Sequence, residues 1–115
     1  MKIAKEPQGS AREEKYLRVA REIVLKHLDT ERFRVFLFGS RARRAHSRSA
    51  DLDIGILGAE PLDPKVVSAI REEIEESRVP YHVDLVDFFD VDVVFRQAAL
   101  KEAIPWNPAK NSKRA

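Results

Sequence analysis

A short apolar run between Arg34 and Phe38 constrains this fold more than any other part of the sequence. The residues that follow Arg34 are Val, Phe, Leu and Phe, all β-prone, and the run stops at Gly39. A continuous apolar run of this length is typical of a central strand that is covered on both faces. The rest of the chain must therefore supply neighbouring strands and covering helices.

Helical and strand-like periodicities alternate around this strand. The predicted elements are, in order, a helix over about 11–28, a strand over 34–38, a helical turn over 40–45, a strand over 51–57, a helix from Asp63-Pro64 to Pro80, a strand over 82–88 and a helix from Asp90. The last helix is expected to carry its apolar residues on one side, namely Val91, Val94, Phe95 and Ala98.

This order predicts an α/β (or α+β) layer structure in which helices pack on a small mixed β-sheet. A chain of 115 residues has room for one domain. We expect residues 1–9 to be a flexible N-terminus, residues 10–106 to form the domain and residues 107–115 to be a disordered tail.

Composition and charge exclude several classes of protein. The sequence has no cysteine, so disulfides, thiolate metal sites and cysteine nucleophiles are excluded. Its 21 basic and 19 acidic residues nearly cancel to a net charge of +2, which does not favour a nucleic-acid-binding protein. No apolar run is long enough for a membrane span, and the polar N-terminus lacks a signal-peptide core. We therefore expect a cytoplasmic protein.

Two aspartates face the same side of a predicted strand. Asp51 and Asp53 are two residues apart, which places their Cα atoms roughly 6.5–7 Å from each other. Adjacent carboxylates raise each other's pKa unless a cation lies between them, and oxygen-only sites suit Mg²⁺ or Mn²⁺. An isolated Asp-x-Asp pair is more often a solvated strand face, so the metal hypothesis depends on further residues.

A glycine-serine pair ends the apolar strand. Gly39-Ser40 precedes a predicted helical turn, and such a turn directs backbone amides and a helix dipole toward an anion. Glycine lets a phosphate approach the backbone, and the serine hydroxyl supplies one more donor. An isolated Gly-Ser is more often a turn glycine followed by a capping serine, so this interpretation also depends on its surroundings.

The combined pattern is more specific than either part. Ten residues separate Gly39-Ser40 from Asp51-Leu52-Asp53-Ile54, and a later strand carries Val83-Asp84-Leu85. This arrangement resembles the nucleotidyltransferase superfamily that includes DNA polymerase β, and more closely its minimal members. Their hallmark matches Phe38-Gly39-Ser40-Arg41-Ala42-Arg43, and Val83-Asp84-Leu85-Val86-Asp87 is similar to the strand that carries their third carboxylate. The resemblance covers about residues 34–106.

The resemblance implies a two-metal active site. Asp51 and Asp53 would hold two Mg²⁺ ions, or Mn²⁺, that bridge the phosphates of ATP. Asp84 would complete the metal site and help to activate the acceptor hydroxyl. The implied nucleotide-binding residues are Gly39, Ser40, Arg41 and Arg43.

The sequence departs from the family pattern at two positions. The family usually has glycine at the position of Arg44, and often serine directly before the first aspartate, where this chain has Ala50. Neither departure removes a catalytic group, but both bear on the geometry of the loop over 44–50.

Three other residues have two interpretations each. Strand alternation puts Asp87 on the opposite face from Asp84, so a structural role is favoured over a place in the site. His82 shares the Asp84 face, and a partly buried structural histidine is favoured over a substrate contact. Trp106 either fills the core or is an exposed anchor for a partner.

The resemblance also implies a partner. Minimal family members typically occur beside a small all-helical HEPN-type protein that acts as an RNase toxin, and they add AMP to one of its tyrosines. The leading hypothesis is thus a protein adenylyltransferase antitoxin. Two alternatives stay open: a non-catalytic module that neutralises its partner by occlusion, and a transferase for small molecules such as aminoglycosides, which would need an acceptor cleft between subunits.

Overall fold

Helices and strands alternate along the described chain, which comprises residues 10–39 and 51–107 of a computed structural model. The elements are α1 (Ser10–Lys26), β1 (Phe33–Phe38), β2 (Asp51–Gly58), α2 (Pro64–Glu75), β3 (His82–Asp87), a 3₁₀ turn (Phe88–Asp90), α3 (Val93–Lys101) and β4 (Ile104–Pro105). The predicted helical turn over 40–45 and the loop that follows it lie outside the described residues.

The strands form one mixed four-stranded sheet in the order β3-β2-β1-β4. β1 runs antiparallel to both of its neighbours, whereas β2 and β3 are parallel. β1 is interior to the sheet, and its residues Val35 to Phe38 are all buried. The predicted fold class is therefore confirmed. β4 was not predicted, because two residues that include a proline carry no strand periodicity.

Each face of the sheet has its own apolar layer. On one face, α1 and α2 pack on alternate residues of β2, namely Leu52, Ile54 and Ile56. On the other face the layer consists of Phe36, Phe38 and Phe88, with α3 alongside. Since successive residues of a strand point to opposite faces, the β2 residues that face the phenylalanines are Asp51, Asp53 and Gly55. The candidate catalytic residues thus share the α3 face of the sheet.

Local capping signals place the start of α2 where the sequence predicts it. The Asp63 carboxylate accepts a hydrogen bond from the Lys65 amide at 2.9 Å, and Pro64 occupies the first helical turn. The helix ends at Glu75, several residues before Pro80, with Glu76 as its C-cap. α2 therefore begins where it was predicted to begin, but it ends earlier than the apolar pattern suggests.

α3 differs most from its prediction. It begins at Val93 and not at Asp90, because the Asp92 side chain accepts hydrogen bonds from the Val94 and Phe95 amides and caps the helix there. Asp90 instead belongs to the 3₁₀ turn. No residue of α3 is buried, and the expected apolar side is largely in solvent, with Val94 69% exposed.

The C-terminal end of the described chain is tied to β1. Trp106 is 6% exposed, so it belongs to the core and is not an exposed anchor. The Asn107 side chain accepts from the Val35 amide at 2.8 Å and donates to the Phe33 and Thr30 carbonyls at 2.9 and 3.3 Å. Asn107 therefore extends the hydrogen-bonded fold one residue past the predicted boundary. Among the described residues, no helix is long and apolar enough to cross a membrane.

Candidate active site

Gly39 brings the end of β1 against a carboxylate. Its φ of +81° lies in the left-handed region, which glycine adopts without a steric penalty. A Cβ at this position would overlap the Asp53 Oδ2 atom and lie 3.1 Å from Asp53 Cγ. The strand register explains this proximity, since Phe38 pairs with Asp53. Glycine is thus required here for two reasons, backbone conformation and the space that the carboxylate occupies.

The three predicted carboxylates lie together. In the parallel register Asp53 pairs with Asp84, and Asp51 pairs with His82. Neighbouring strands are about 4.8 Å apart, and paired residues point to the same face. Asp51 and Asp84 are exposed, whereas Asp53 is half-buried between them and Gly39. Strand pairing has thus brought Asp84 beside the Asp-x-Asp pair across more than thirty residues of sequence.

The carboxylates affect one another electrostatically. Partial burial raises the pKa of Asp53 above its ordinary value, and the negative charges of Asp84 and Asp51 raise it further. The nearby His82 opposes this shift. Ionised Asp53 is therefore destabilised in the protein alone, and a bound cation would relieve the repulsion. This charge distribution is typical of a cation or phosphate-metal site.

The donor set fits a hard divalent cation. All three side chains offer carboxylate oxygens, and the sequence has no thiolate to compete. Within residues 10–39 and 51–107, no three acidic or histidine side chains already converge as metal ligands. Mg²⁺ is usually bound by one or two carboxylates plus substrate phosphates, and not by an all-protein cage. Asp51, Asp53 and Asp84 are thus suited to hold a cation together with a nucleotide.

Asp87 has a structural role. Its Oδ2 accepts from the Leu62 amide at 2.9 Å, and its Oδ1 accepts from the Phe89 amide at 3.0 Å. The two oxygens therefore hold the backbone of the 3₁₀ turn and of the loop that precedes α2. This agrees with its predicted place on the face opposite Asp84.

His82 is more exposed than predicted. The sequence favoured a partly buried structural histidine, but the side chain is exposed on the same face as the three aspartates. The prediction failed because β3 lies at the edge of the sheet and no described helix covers its α3-side face at His82.

An aromatic layer beside Asp53 was not predicted from the sequence. Phe88 lies edge-on to Phe36 and Phe38, with ring centroids 4.9 and 5.2 Å apart. Gly55 makes room for it, since a Cβ there would be 2.7 Å from Phe88 Cε1. The layer could have been predicted from the alternation along β2, which puts Gly55 on the α3 face with Asp51 and Asp53, where it pairs with Phe36. This layer packs beside Asp53 on the same face of the sheet.

Part of the predicted nucleotide site lies outside the described residues. Ser40, Arg41 and Arg43 are in the interval 40–50, so their roles stay predictions. Gly39 is described, and its position against Asp53 is compatible with the predicted phosphate turn.

Comparison with known proteins identifies the family. The family model described as "Polymerase beta, Nucleotidyltransferase" matches residues 14–105. The "Probable protein adenylyltransferase MntA" of Haemophilus influenzae is 35% identical over 69 residues, which are 60% of this chain and 60% of that protein. The match therefore spans less than two thirds of that relative.

Solved structures share the fold at lower identity. A toxin–antitoxin structure with AMP-PNP has a TM-score of 0.65 at 20% identity, covering 88% of this chain and 77% of that chain. A complex of a tri-AMPylated Shewanella oneidensis HEPN toxin with its MNT antitoxin has a TM-score of 0.56 at 20% identity, covering 84% and 76%. These identities establish the fold alone.

The family match over residues 14–105 covers most of the chain. The chain belongs to the polymerase β nucleotidyltransferase family.

Proposed function

We propose that the protein transfers AMP from ATP to a tyrosine hydroxyl of a HEPN-type helical toxin and thereby acts as its antitoxin. The observation that carries this proposal is the alignment of Asp51, Asp53 and Asp84 on one face, with Gly39 against Asp53. The Haemophilus relative is named a protein adenylyltransferase, and one structural neighbour contains an AMPylated HEPN toxin. Both support the choice of reaction and acceptor.

The residues divide the reaction between them. Asp51 and Asp53 would hold two Mg²⁺ ions, for which Mn²⁺ could substitute, and the chemistry that such ions would supply is stabilisation of negative charge on the reacting oxygens. The amides at Gly39 and Ser40, with Arg41 and Arg43, hold the triphosphate. The AMP-PNP in a structural neighbour supports a nucleoside triphosphate as the donor.

Asp84 is placed to serve the acceptor. Its carboxylate is exposed beside the half-buried Asp53, so an incoming hydroxyl can reach it. Asp84 takes up the hydroxyl proton while the tyrosine oxygen bonds to the α-phosphorus of ATP. The bond between the α-phosphorus and the bridging oxygen breaks, and pyrophosphate leaves. The proposal places the protein in the cytoplasm, where it has access to ATP and to a toxin that cleaves RNA.

Mass spectrometry of the acceptor tests the proposal. The HEPN-type protein encoded next to this chain is incubated with the purified chain, ATP and Mg²⁺, and the Asp51→Asn/Asp53→Asn double variant is the matched control. We expect one or more AMP additions that the double variant does not produce. Binding without any mass increase would reject the transferase proposal and favour an occluding antitoxin. Absence of both would direct the search to small-molecule acceptors.

A further inference from the structure

α3 and its flanks expose an apolar surface. We define the α3 surface by its six exposed large apolar residues, Phe89, Val93, Val94, Phe95, Leu100 and Ile104. Val93 and Val94 are 60% and 69% exposed, although they are consecutive residues of an ordered helix. Single exposed apolar residues are ordinary, but Val93 and Leu100 are seven residues apart and share one side of the helix, next to Val94, and adjacent exposed apolar residues of this kind indicate an interaction site.

The α3 surface adjoins the candidate active site. The Phe95 ring lies 5.6 Å from the Phe88 ring and 6.1 Å from the Phe38 ring, measured between centroids. Phe38 is the cross-strand partner of Asp53. The N-terminal turn of α3 is therefore only one side-chain layer from the residue pair that contains the central carboxylate, on the same face of the sheet.

The α3 surface is acidic at its N-terminal end, whereas the basic residue Lys101 is exposed at its C-terminal end. Asp90 and Asp92 are exposed at the start of α3, and the three carboxylates of the site continue the negative charge along the same face. A matching partner surface would be apolar at its centre and basic where it meets the N-terminal end of α3 and the three carboxylates. A symmetric contact between two copies of this chain is the competing arrangement, and the oligomeric state of each variant tests it.

We propose that the α3 surface docks the acceptor protein, through an apolar helical face bordered by basic residues. This inference rests on the proposed function, because a protein acceptor must present its hydroxyl beside Asp84. In the described part of the chain, the only helix on the catalytic face is α3, so this helix is the available surface for positioning an acceptor. Docking on α3 covers exposed apolar area and directs the partner over the site.

Lysine substitutions on α3 test the docking surface. Val94→Lys and Val93→Lys each place a charge on the exposed apolar area, and neither residue is buried in the free protein. The matched control is Ser68→Lys, an exposed position on α2 on the other face of the sheet. Affinity for the neighbouring HEPN-type protein is measured by calorimetry, and the KM for that protein by AMP transfer.

We expect each valine variant to raise the Kd and the KM for the acceptor by about tenfold or more, since burying a valine contributes about that factor. Ser68→Lys should match the wild type, and all variants should keep their affinity for Mg²⁺-ATP and their thermal stability. Wild-type acceptor affinity in both valine variants would overturn the inference. The inference would also be overturned if the valine substitutions only dissociated a homodimer and left the affinity for the acceptor unchanged.

The two proposals can fail separately. If the wild type binds the acceptor but transfers no AMP, the proposed reaction is wrong, and the Kd of Val94→Lys still decides the docking surface. If AMP transfer occurs with unchanged KM in both valine variants, the reaction stands and the docking surface is wrong. If the wild type does not bind the HEPN-type protein, the docking inference is overturned.

Discussion

Gly39 ends β1 and lies against the Asp53 carboxylate, so its replacement should impair the candidate site more than the fold. In Gly39→Ala the new Cβ would overlap the Asp53 carboxylate, and the φ of +81° would cost about 1–2 kcal/mol. We expect AMP transfer to fall about 100-fold, because relieving this overlap displaces Asp53 by about 1 Å, and a displacement of that size misplaces the reacting groups. The measurement is AMP incorporation at saturating ATP, with thermal unfolding as the folding control. Normal transfer by a folded variant would contradict this role.

Asp53 should make the folded protein less stable when it ionises. Its pKa in the folded protein lies above the ordinary value of 3.8, so the folded state binds a proton more tightly than the unfolded state. Stability therefore falls as the pH rises from 3.8 through the folded-state pKa, and Asp53→Asn removes this loss. We expect the variant to be more stable than the wild type at pH 7 without divalent cations. The difference should shrink as the pH falls and disappear below about 3.8.

Urea unfolding between acid and neutral pH, with a chelator present, measures this difference. Asp87→Asn is the contrasting control, because both Asp87 oxygens accept backbone hydrogen bonds and its loss should destabilise the protein by about 1 kcal/mol. A destabilised Asp53→Asn at neutral pH would refute the electrostatic interpretation of the site.

At the scale of elements, α2 depends on its N-cap independently of catalysis. The Asp63 carboxylate satisfies the Lys65 amide, which otherwise has no partner in the first helical turn. Asp63→Ala should lower the free energy of unfolding by about 1 kcal/mol, and Asp63→Ser should retain most of it. Since α2 packs on the face opposite the carboxylates, AMP transfer at low temperature should be unchanged in both variants. A large loss of transfer with little loss of stability would indicate that α2 influences the site.

α3 shows how an element can satisfy local rules and still remain outside the core. Asp92 caps it, and Phe95 and Ala99 rest against the phenylalanine layer, yet its two valines face solvent. Burying those valines inside the domain would require another layer on this face. Within residues 10–39 and 51–107 the α3 face of the sheet has no such layer.

At the scale of the whole molecule, the C-terminal end of the described chain closes the sheet. The Asn107 side chain bonds to the backbone at three positions before and within β1, far away in sequence. We expect Asn107→Ala to lower stability by about 1–3 kcal/mol, because it leaves part-buried backbone groups without partners. A chain ending at Asn107 should unfold at the same urea concentration as the full chain. Equal stability of the alanine variant would show that water replaces these bonds.

The two faces of the sheet differ in the residues that they carry. One face of the sheet is filled by α1 and α2, and the other carries the carboxylates, the phenylalanine layer and α3. Most of the buried apolar residues therefore lie on the first face, and the candidate site lies on the second.

The sequence by itself determined the interior strand, the alternating aspartates and the start of α2. These features depend on contacts between near neighbours: side-chain alternation along β2, the Asp63 cap and the apolar run into Gly39. The resemblance in the short Gly-Ser and Asp-x-Asp segments was enough to predict the family.

Only the tertiary structure decided the rest. The pairing of Asp53 with Asp84, the burial of Trp106, the hydrogen bonds of Asn107 and the exposure of His82 and α3 all depend on which elements become neighbours. Periodicity shows that a helix or strand has an apolar face, but it does not show whether another layer covers that face. The local sequence pattern therefore could not predict the exposure of Val93 and Val94. Their exposure follows from the lack of a covering layer on the α3 face of the described chain.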